Sequence, residues 1–270
     1  MYCHQTCCQE LQACLGEFQI KQQAYTAWQH VVEKITVVER PEMLNNYIKE
    51  WVNPEKPFVL AFVNAHAMNL ISTSEVFASQ LLQADVLLRD GSGMAKLFRL
   101  LHSNPGDNLN GTDLIPRLIP LFNKKKIALM GTEAPFLSAA RIKILSELAP
   151  ECEIHVINGF CLASDYVSFC EKVAPDLVIL GMGMPKQESI AMVLREKLSK
   201  PCLIVCGGAI IDFLGGKVIR APNWVRDRGI EWVYRLLIEP RRLFKRYVIG
   251  NPLFLIRARK FANTMSEGKP

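Results

Sequence analysis

A chain of 270 residues, half of them hydrophobic, can bury one large core or two small ones, which excludes a largely disordered protein. No apolar run reaches the roughly 18 residues of a membrane-spanning helix, so contact with a bilayer is expected only from its surface. The net charge of +6 is modest but uneven, because the region after Lys217 is rich in Arg and Lys, which points to an anionic partner. We expect no nucleic acid among the partners. Nine cysteines, an odd number with no secretory leader, predict reduced thiols in a cytoplasmic setting. The early Cys3-His4, Cys7-Cys8 and Cys14 lack two clean ligand pairs at zinc-finger spacing, so no metal site is expected there.

In chain order, residues 1 to 29 read as a polar, partly helical extension. His30 to Val38 is expected as a first strand, and Pro41 to Trp51 as a helix with Pro near its start. Phe58 to Val63 is an apolar strand ending at Asn64, a helical segment runs on to Leu82, and Asp85 to Leu88 is a second strand ending near Asp90. Two buried parallel strands that end in polar residues deliver those side chains to one sheet edge, and ligands of open α/β sheets bind outside the carboxyl ends of the strands. Asn64 and Asp90 should therefore share a crevice. Ser92 to Leu101 follows as a helix, and His102 to Asn110, with Asn, Pro, Gly and Asp in quick succession, reads as a mobile loop.

From Gly111 helix and strand alternate: helix Asp113 to Phe122, strand Ile127 to Met130, helix Ala134 to Leu148, strand Glu153 to Ile157, helix Ser164 to Val173, strand Leu177 to Leu180, helix Lys186 to Leu198 and strand Cys202 to Cys206. That alternation predicts an α/β, doubly wound, mainly parallel sheet of Rossmann-like type over residues 30–216. Residues 217–270 carry no strand signal and read as a basic helical appendage, whose removal should leave a folded core.

Three stretches after the central strands carry chemistry. Gly181-Met182-Gly183-Met184-Pro185-Lys186-Gln187-Glu188 follows a strand and opens a helix, so its backbone N–H groups can approach an anion. It lacks the third glycine, and the next strand lacks the terminal acid, of the dinucleotide fingerprint, which disfavours a nicotinamide site. Lys186 and Gln187, in the first helical turn, are within reach of a phosphate or sugar, or are plain solvated residues. In the stretch from Gly207 to Trp224, Asp212 either meets a sugar hydroxyl or pairs with Arg220. Arg235, Arg242 and Lys245 or Arg246 recur at near-helical intervals and suit a pyrophosphate, or else form a solvated or lipid-facing basic surface.

Asn64 with Asp90-Gly91, Gly111-Thr112-Asp113-Leu114, Gly183-Met184-Pro185-Lys186-Gln187-Glu188, Arg220-Ala221-Pro222, and Glu231-Trp232-Val233-Tyr234-Arg235 followed by Glu239-Pro240 and Arg242 together resemble the ordered motif set of the WecG/TagA/CpsF glycosyltransferases. The resemblance spans about residues 30 to 248. It implies inverting, metal-independent transfer, with no cofactor, of a sugar of N-acetylmannosamine type from a UDP-sugar to a polyprenyl-pyrophosphate-linked N-acetylglucosamine, at the inner face of the cell membrane. It further implies Asp90 as general base, Asn64 as a substrate contact beside it, Gly183, Lys186 and Gln187 in the pocket, and Arg235, Arg242 and Lys245 closing over the pyrophosphate. Departures are Lys245 where Arg is common, Phe62 where some members have Thr, and His66, which the resemblance does not assign.

The chemistry is consistent with a strand-end carboxylate taking a hydroxyl proton, and no second carboxylate is evident for a double displacement. With no Asp-x-Asp motif near a strand end, arginines and a helix N-terminus would stabilise the leaving UDP. The alternative is a nucleotide-binding regulatory or interaction module without catalysis. Leu236, Leu237, Phe244, Tyr247 and Phe254, with the basic residues, are expected to meet an anionic membrane surface, and exposed apolar positions there would favour a homo-oligomer.

Overall fold

The computed structural model describes residues 24–222, 224–225 and 228–267. The early cysteine-rich stretch and most of the expected extension lie outside them. From residue 24 a helix, α1, runs to residue 34. It is followed by β1 (Ile35–Thr36), α2 (Pro41–Trp51), β2 (Phe58–Val63), α3 (Ala65–Ile71), α4 (Glu75–Gln83), β3 (Val86–Arg89) and α5 (Gly91–Leu100). The next elements are α6 (Gly111–Leu118), β4 (Lys126–Gly131), α7 (Phe136–Glu147), β5 (Glu153–Ile157), α8 (Ala163–Val173), β6 (Leu177–Gly181), α9 (Lys186–Lys197), β7 (Leu203–Cys206) and α10 (Ile210–Leu214). The chain closes with α11 (Glu231–Ile238), α12 (Pro240–Phe244), a π turn at Lys245–Ile249 and α13 (Gly250–Glu267).

The seven strands form one parallel sheet in the order β1-β3-β2-β7-β6-β4-β5. Helices cover both faces, giving two apolar layers, as the near-continuous Val, Ile and Leu runs of β2, β6 and β7 require of strands buried on both sides. This is the doubly wound α/β fold. The chain leaves β2 toward β3 on one side, whereas after β7 it turns the other way, with α10 packing on α7. The crevice where such paths diverge, at the carboxyl ends of the strands, is where this fold binds ligands.

Three expectations need correction. The strand expected over His30 to Val38 shrinks to Ile35–Thr36, because Trp28 and Val31, three residues apart on α1, form a helical stripe that is buried in the core. β-branched residues favour strands only weakly, and burial of that stripe outweighs the preference. The single helix expected up to Leu82 is two, divided where Ser74 Oγ accepts the Phe77 N–H and caps α4. The third correction is at the other end of the chain. Phe254, Ala258, Phe261 and Ala262 repeat at helical spacing and are buried, with Trp28 ringed by Phe254 at 5.8 Å and Phe261 at 5.6 Å between centroids. Asn69 of α3 donates to Gly250 O at 2.7 Å and accepts from Arg257 at 3.0 Å. Helix α13 is therefore part of the core, and cutting the chain after Gly216 would expose Trp28. Losing the packing of one such aromatic costs about 3–5 kcal/mol.

Candidate active site

The register of the central strands sets the floor of the site. Val63 lies opposite Arg89, so the residues that follow, Asn64 and Asp90, leave β2 and β3 level with each other. Asn64 caps α3, its Oδ1 accepting the N–H groups of His66 and Ala67, both at 3.1 Å. That fixes which end of the amide faces away, and Nδ2 donates to Asp90 Oδ2 at 3.1 Å. Asp90 is half-buried. Burial pushes its carboxyl above the ordinary carboxylate range, opposed by the Asn64 hydrogen bond and by the charges of Arg246, Arg235 and Arg89.

The neighbouring pair of strands supplies two glycine turns. Leu180 pairs with Cys206, which brings the turns after β6 and β7 side by side. Gly183 (φ +78°) and Gly208 (φ +60°) both adopt the left-handed conformation. Gln187, 1 % exposed, joins them: its Oε1 accepts from Gly183 N at 3.2 Å and Gly208 N at 3.0 Å, while Nε2 donates to Glu188 Oε1 at 2.8 Å. Gln187 thus lines the cavity but holds its walls in place. Glu188 beneath it is also buried, and its carboxyl is pushed up to about 7, chiefly by desolvation.

Between these turns and the last helices lies a cavity of about 380 Å³, within the usual size of a small-molecule site. Its lining includes Asn64, His66, Asp90, Gly183, Gln187, Asn108, Asp212, Arg235, Arg242 and Arg246. Arg235 reaches it from α11, its guanidinium 5.4 Å from the Phe213 ring centre on α10. Trp232 and Tyr247, with ring centres 6.1 Å apart, tie α11 to the π turn. Arg242 pairs with Glu239. Arg246 shares the cavity with the like charges of Arg235 and Arg242, and burial together with those charges lowers its proton affinity. The Nε atoms of both Arg235 and Arg246 are buried without a hydrogen-bond acceptor among the described residues. His66 has its imidazole pKa lowered to about 4 by burial and then by Arg246, so it is neutral near pH 7.

The structure thus gathers Asp90, Asn64, Gly183, Gln187, Arg235 and Arg242 around one cavity. It places Lys186 and Lys245 elsewhere. Lys186 points to the turn after β5, where Nζ donates to Gly159 O at 2.8 Å. Lys245 is exposed, and Arg246 takes the cavity position because the π turn widens the helix there and shifts the facing by one residue. Arg220 pairs with Asp113 rather than with Asp212, joining the Gly111 and Arg220 motifs. The sequence also gave no role to Asn108, whose only signal was an Asn-rich loop directly before Gly111.

A strand-end carboxylate thus faces a cluster of arginines across the divergence point of a doubly wound sheet, an arrangement suited to group transfer from an anionic substrate. Residues 31–267 match the model of the glycosyl transferase WecG/TagA/CpsF family, and the chain belongs to that family of glycosyltransferases. Among curated proteins it is 25% identical over 248 residues to the N-acetylglucosaminyldiphosphoundecaprenol N-acetyl-beta-D-mannosaminyltransferase of Staphylococcus aureus strain NCTC 8325 / PS 47, covering 90% of this chain and 92% of that protein. The protein of the same name from strain MRSA252 is 26% identical over the same length.

Proposed function

We propose that this glycosyltransferase moves a sugar of N-acetylmannosamine type from a UDP-sugar to a polyprenyl-diphosphate-linked N-acetylglucosamine, with inversion and without a metal ion. The observation that carries the proposal is Asp90, held by Asn64 on the cavity floor and faced by Arg235 and Arg246. The acceptor hydroxyl attacks the anomeric carbon as the bond to the UDP oxygen breaks, and its proton passes to Asp90. The charge that develops on UDP is met by the arginines and by the N-terminus of α9 behind Gly183, groups that take the part of a divalent ion. The acceptor class follows the name of the staphylococcal relatives. Among the described residues no helix is long and apolar enough to cross a membrane. Exposed Leu237 and Phe244, beside the basic residues of α12, support docking on an anionic inner membrane surface.

The test is UDP release from a panel of UDP-sugars and a short-chain polyprenyl-diphosphate N-acetylglucosamine, with chelator present. Wild type should show acceptor-dependent release, and Asp90→Asn should lose about 10²- to 10⁴-fold in kcat while binding UDP normally. The base must be ionised, so activity falls as pH drops through the raised Asp90 pKa, and the acid limb should lie above the ordinary carboxylate range. Equal rates for wild type and Asp90→Asn would refute the assignment. UDP binding with no turnover on any pair would favour a binding module.

A further inference from the structure

Asp90 occupies the N-cap position of α5, where an aspartate ordinarily accepts an N–H from the first helical turn. It makes no capping hydrogen bond, and its carboxylate is turned to Asn64. The N–H of Gly91, the first residue of the helix, donates to Asn108 Oδ1 at 2.7 Å, across 17 residues of sequence. Asn108 belongs to the 102–110 loop that composition marks as mobile, yet the loop is tied down from the residue next to Asp90. Arg89, buried at the end of β3, donates from Nε to Pro105 O at 2.7 Å, from Nη2 to Gly106 O at 2.9 Å and from Nη1 to Gly91 O at 3.0 Å. The Asp107 N–H adds a bond to Val38 O at 2.7 Å.

We propose that Arg89 and Asn108 are positioning residues that anchor the 102–110 loop to the first residue of α5, so that the Asp90 carboxylate stays on Asn64, rather than turning to cap the helix, and is held for proton transfer. The role rests on Asp90 as the base. A capping N–H bonded to the carboxylate would favour its ionised form, lower its basicity and turn it away from an acceptor hydroxyl. The three carbonyls are met by three separate nitrogens of one rigid guanidinium plane, so a lysine at position 89, with its donors on a single nitrogen, would keep the charge and lose the clamp.

The experiment compares Asn108→Ala, Asn108→Asp and Arg89→Lys with wild type in the transfer assay, over pH, together with amide exchange of Gly91 and residues 103–110. Asn108→Ala should lower kcat about tenfold or more with donor KM changed less than threefold. Its acid limb should move to lower pH as the released Asp90 carboxylate turns to the N–H groups of Ser92 and Gly93. The other groups facing Asp90, namely Asn64 after β2, Arg235 and Arg246 from the last helices and Arg89 on its own strand, are unchanged in that variant. Asn108→Asp keeps an acceptor for Gly91 and should recover most of kcat. Arg89→Lys should lose kcat similarly, with faster exchange of Gly91 and Asp107. Because Arg89 is buried and its variant can fail to fold, the exposed Asn108 carries the test by itself. An unchanged kcat and acid limb in Asn108→Ala, or a lower kcat with neither limb shift nor recovery in Asn108→Asp, would overturn the proposal. Absence of transfer by wild type on every pair would overturn the assignment of Asp90 and this role with it, an outcome distinct from failure of the variants alone.

Discussion

In the strand-end wall of the cavity, Asn64 and Gln187 commit their side-chain amides to the protein itself, whereas in the helical wall Arg235 and Arg246 bury Nε–H groups that meet no acceptor among the described residues. The first wall is held by short-range bonds set by strand register and two glycine turns. The second gathers like charges that repel one another, and its electrostatic state improves when an anion enters. Under the proposed function, the contrast means that the floor is preorganised for chemistry while the arginine wall is completed by its anionic ligand.

Glu188 is where that contrast is easiest to break, because one of its carboxyl oxygens, Oε2, is buried behind the strand-end wall with no hydrogen-bond partner among the described residues. Its pKa is raised from 4.5 to about 7 by desolvation. The folded state therefore holds a proton that the unfolded state releases between those values. The native state is favoured fully below pH 4.5, and stability falls as pH rises toward 7. The difference amounts to roughly 3 kcal/mol at most, from about 1.4 kcal/mol per pH unit. Glu188→Gln keeps the acceptor for Gln187 Nε2 and should remove this slope, making the variant more stable than wild type at pH 8 but not at pH 4.5. Urea unfolding at the two pH values checks it. Parallel slopes would mean that Glu188 is ionised in the folded protein and that the strand-end wall carries a buried charge.

Next in size is the effect of removing a guanidinium. Arg246→Gln should weaken UDP binding about 10- to 100-fold, the usual 1.5–3 kcal/mol of a charge-assisted hydrogen bond, while leaving unliganded stability equal or slightly higher because a like charge is gone. Calorimetric titration with UDP and thermal unfolding read the two quantities. If stability drops by more than 2 kcal/mol with affinity unchanged, Arg246 is a structural group and the two walls are alike.

The same division governs what could be read from the sequence. Strand ends are announced by apolar runs that stop at polar residues, so Asn64, Asp90 and the Gly183 turn were legible, as was the parallel sheet. Arg246 was not, because helical spacing across Pro240 cannot foresee a π turn at Lys245–Ile249, and a shift of one residue exchanges Lys245 for Arg246 at the cavity. Composition made 102–110 a mobile loop because a tie supplied by a distant Arg89 leaves no local trace. The Phe254, Ala258, Phe261 and Ala262 stripe was present in the sequence, but the basic residues interleaved with it drew the segment into an appendage. Its partner, Trp28, stands at the opposite end of the chain, and long-range pairing of that kind is invisible to periodicity.

The smallest stability effect belongs to the outer face of the helical wall, where Leu237 is 77% and Phe244 51% exposed. Neither lines the cavity, so a Leu237→Gln, Phe244→Gln double variant should change folding stability by less than about 0.5 kcal/mol. If this face rests on a bilayer, each side chain contributes on the order of 1 kcal/mol of partial burial in the headgroup region, and their joint loss should weaken binding to anionic vesicles roughly tenfold or more. Turnover of a short-chain acceptor in solution should be untouched, while turnover of a long-chain acceptor embedded in vesicles should fall with the binding. Vesicle co-sedimentation at two salt concentrations separates the apolar contribution from attraction by the basic residues, since only the latter is screened. Unchanged sedimentation of the double variant would assign membrane contact to another surface and leave the exposed face of α11 and α12 to contacts with protein.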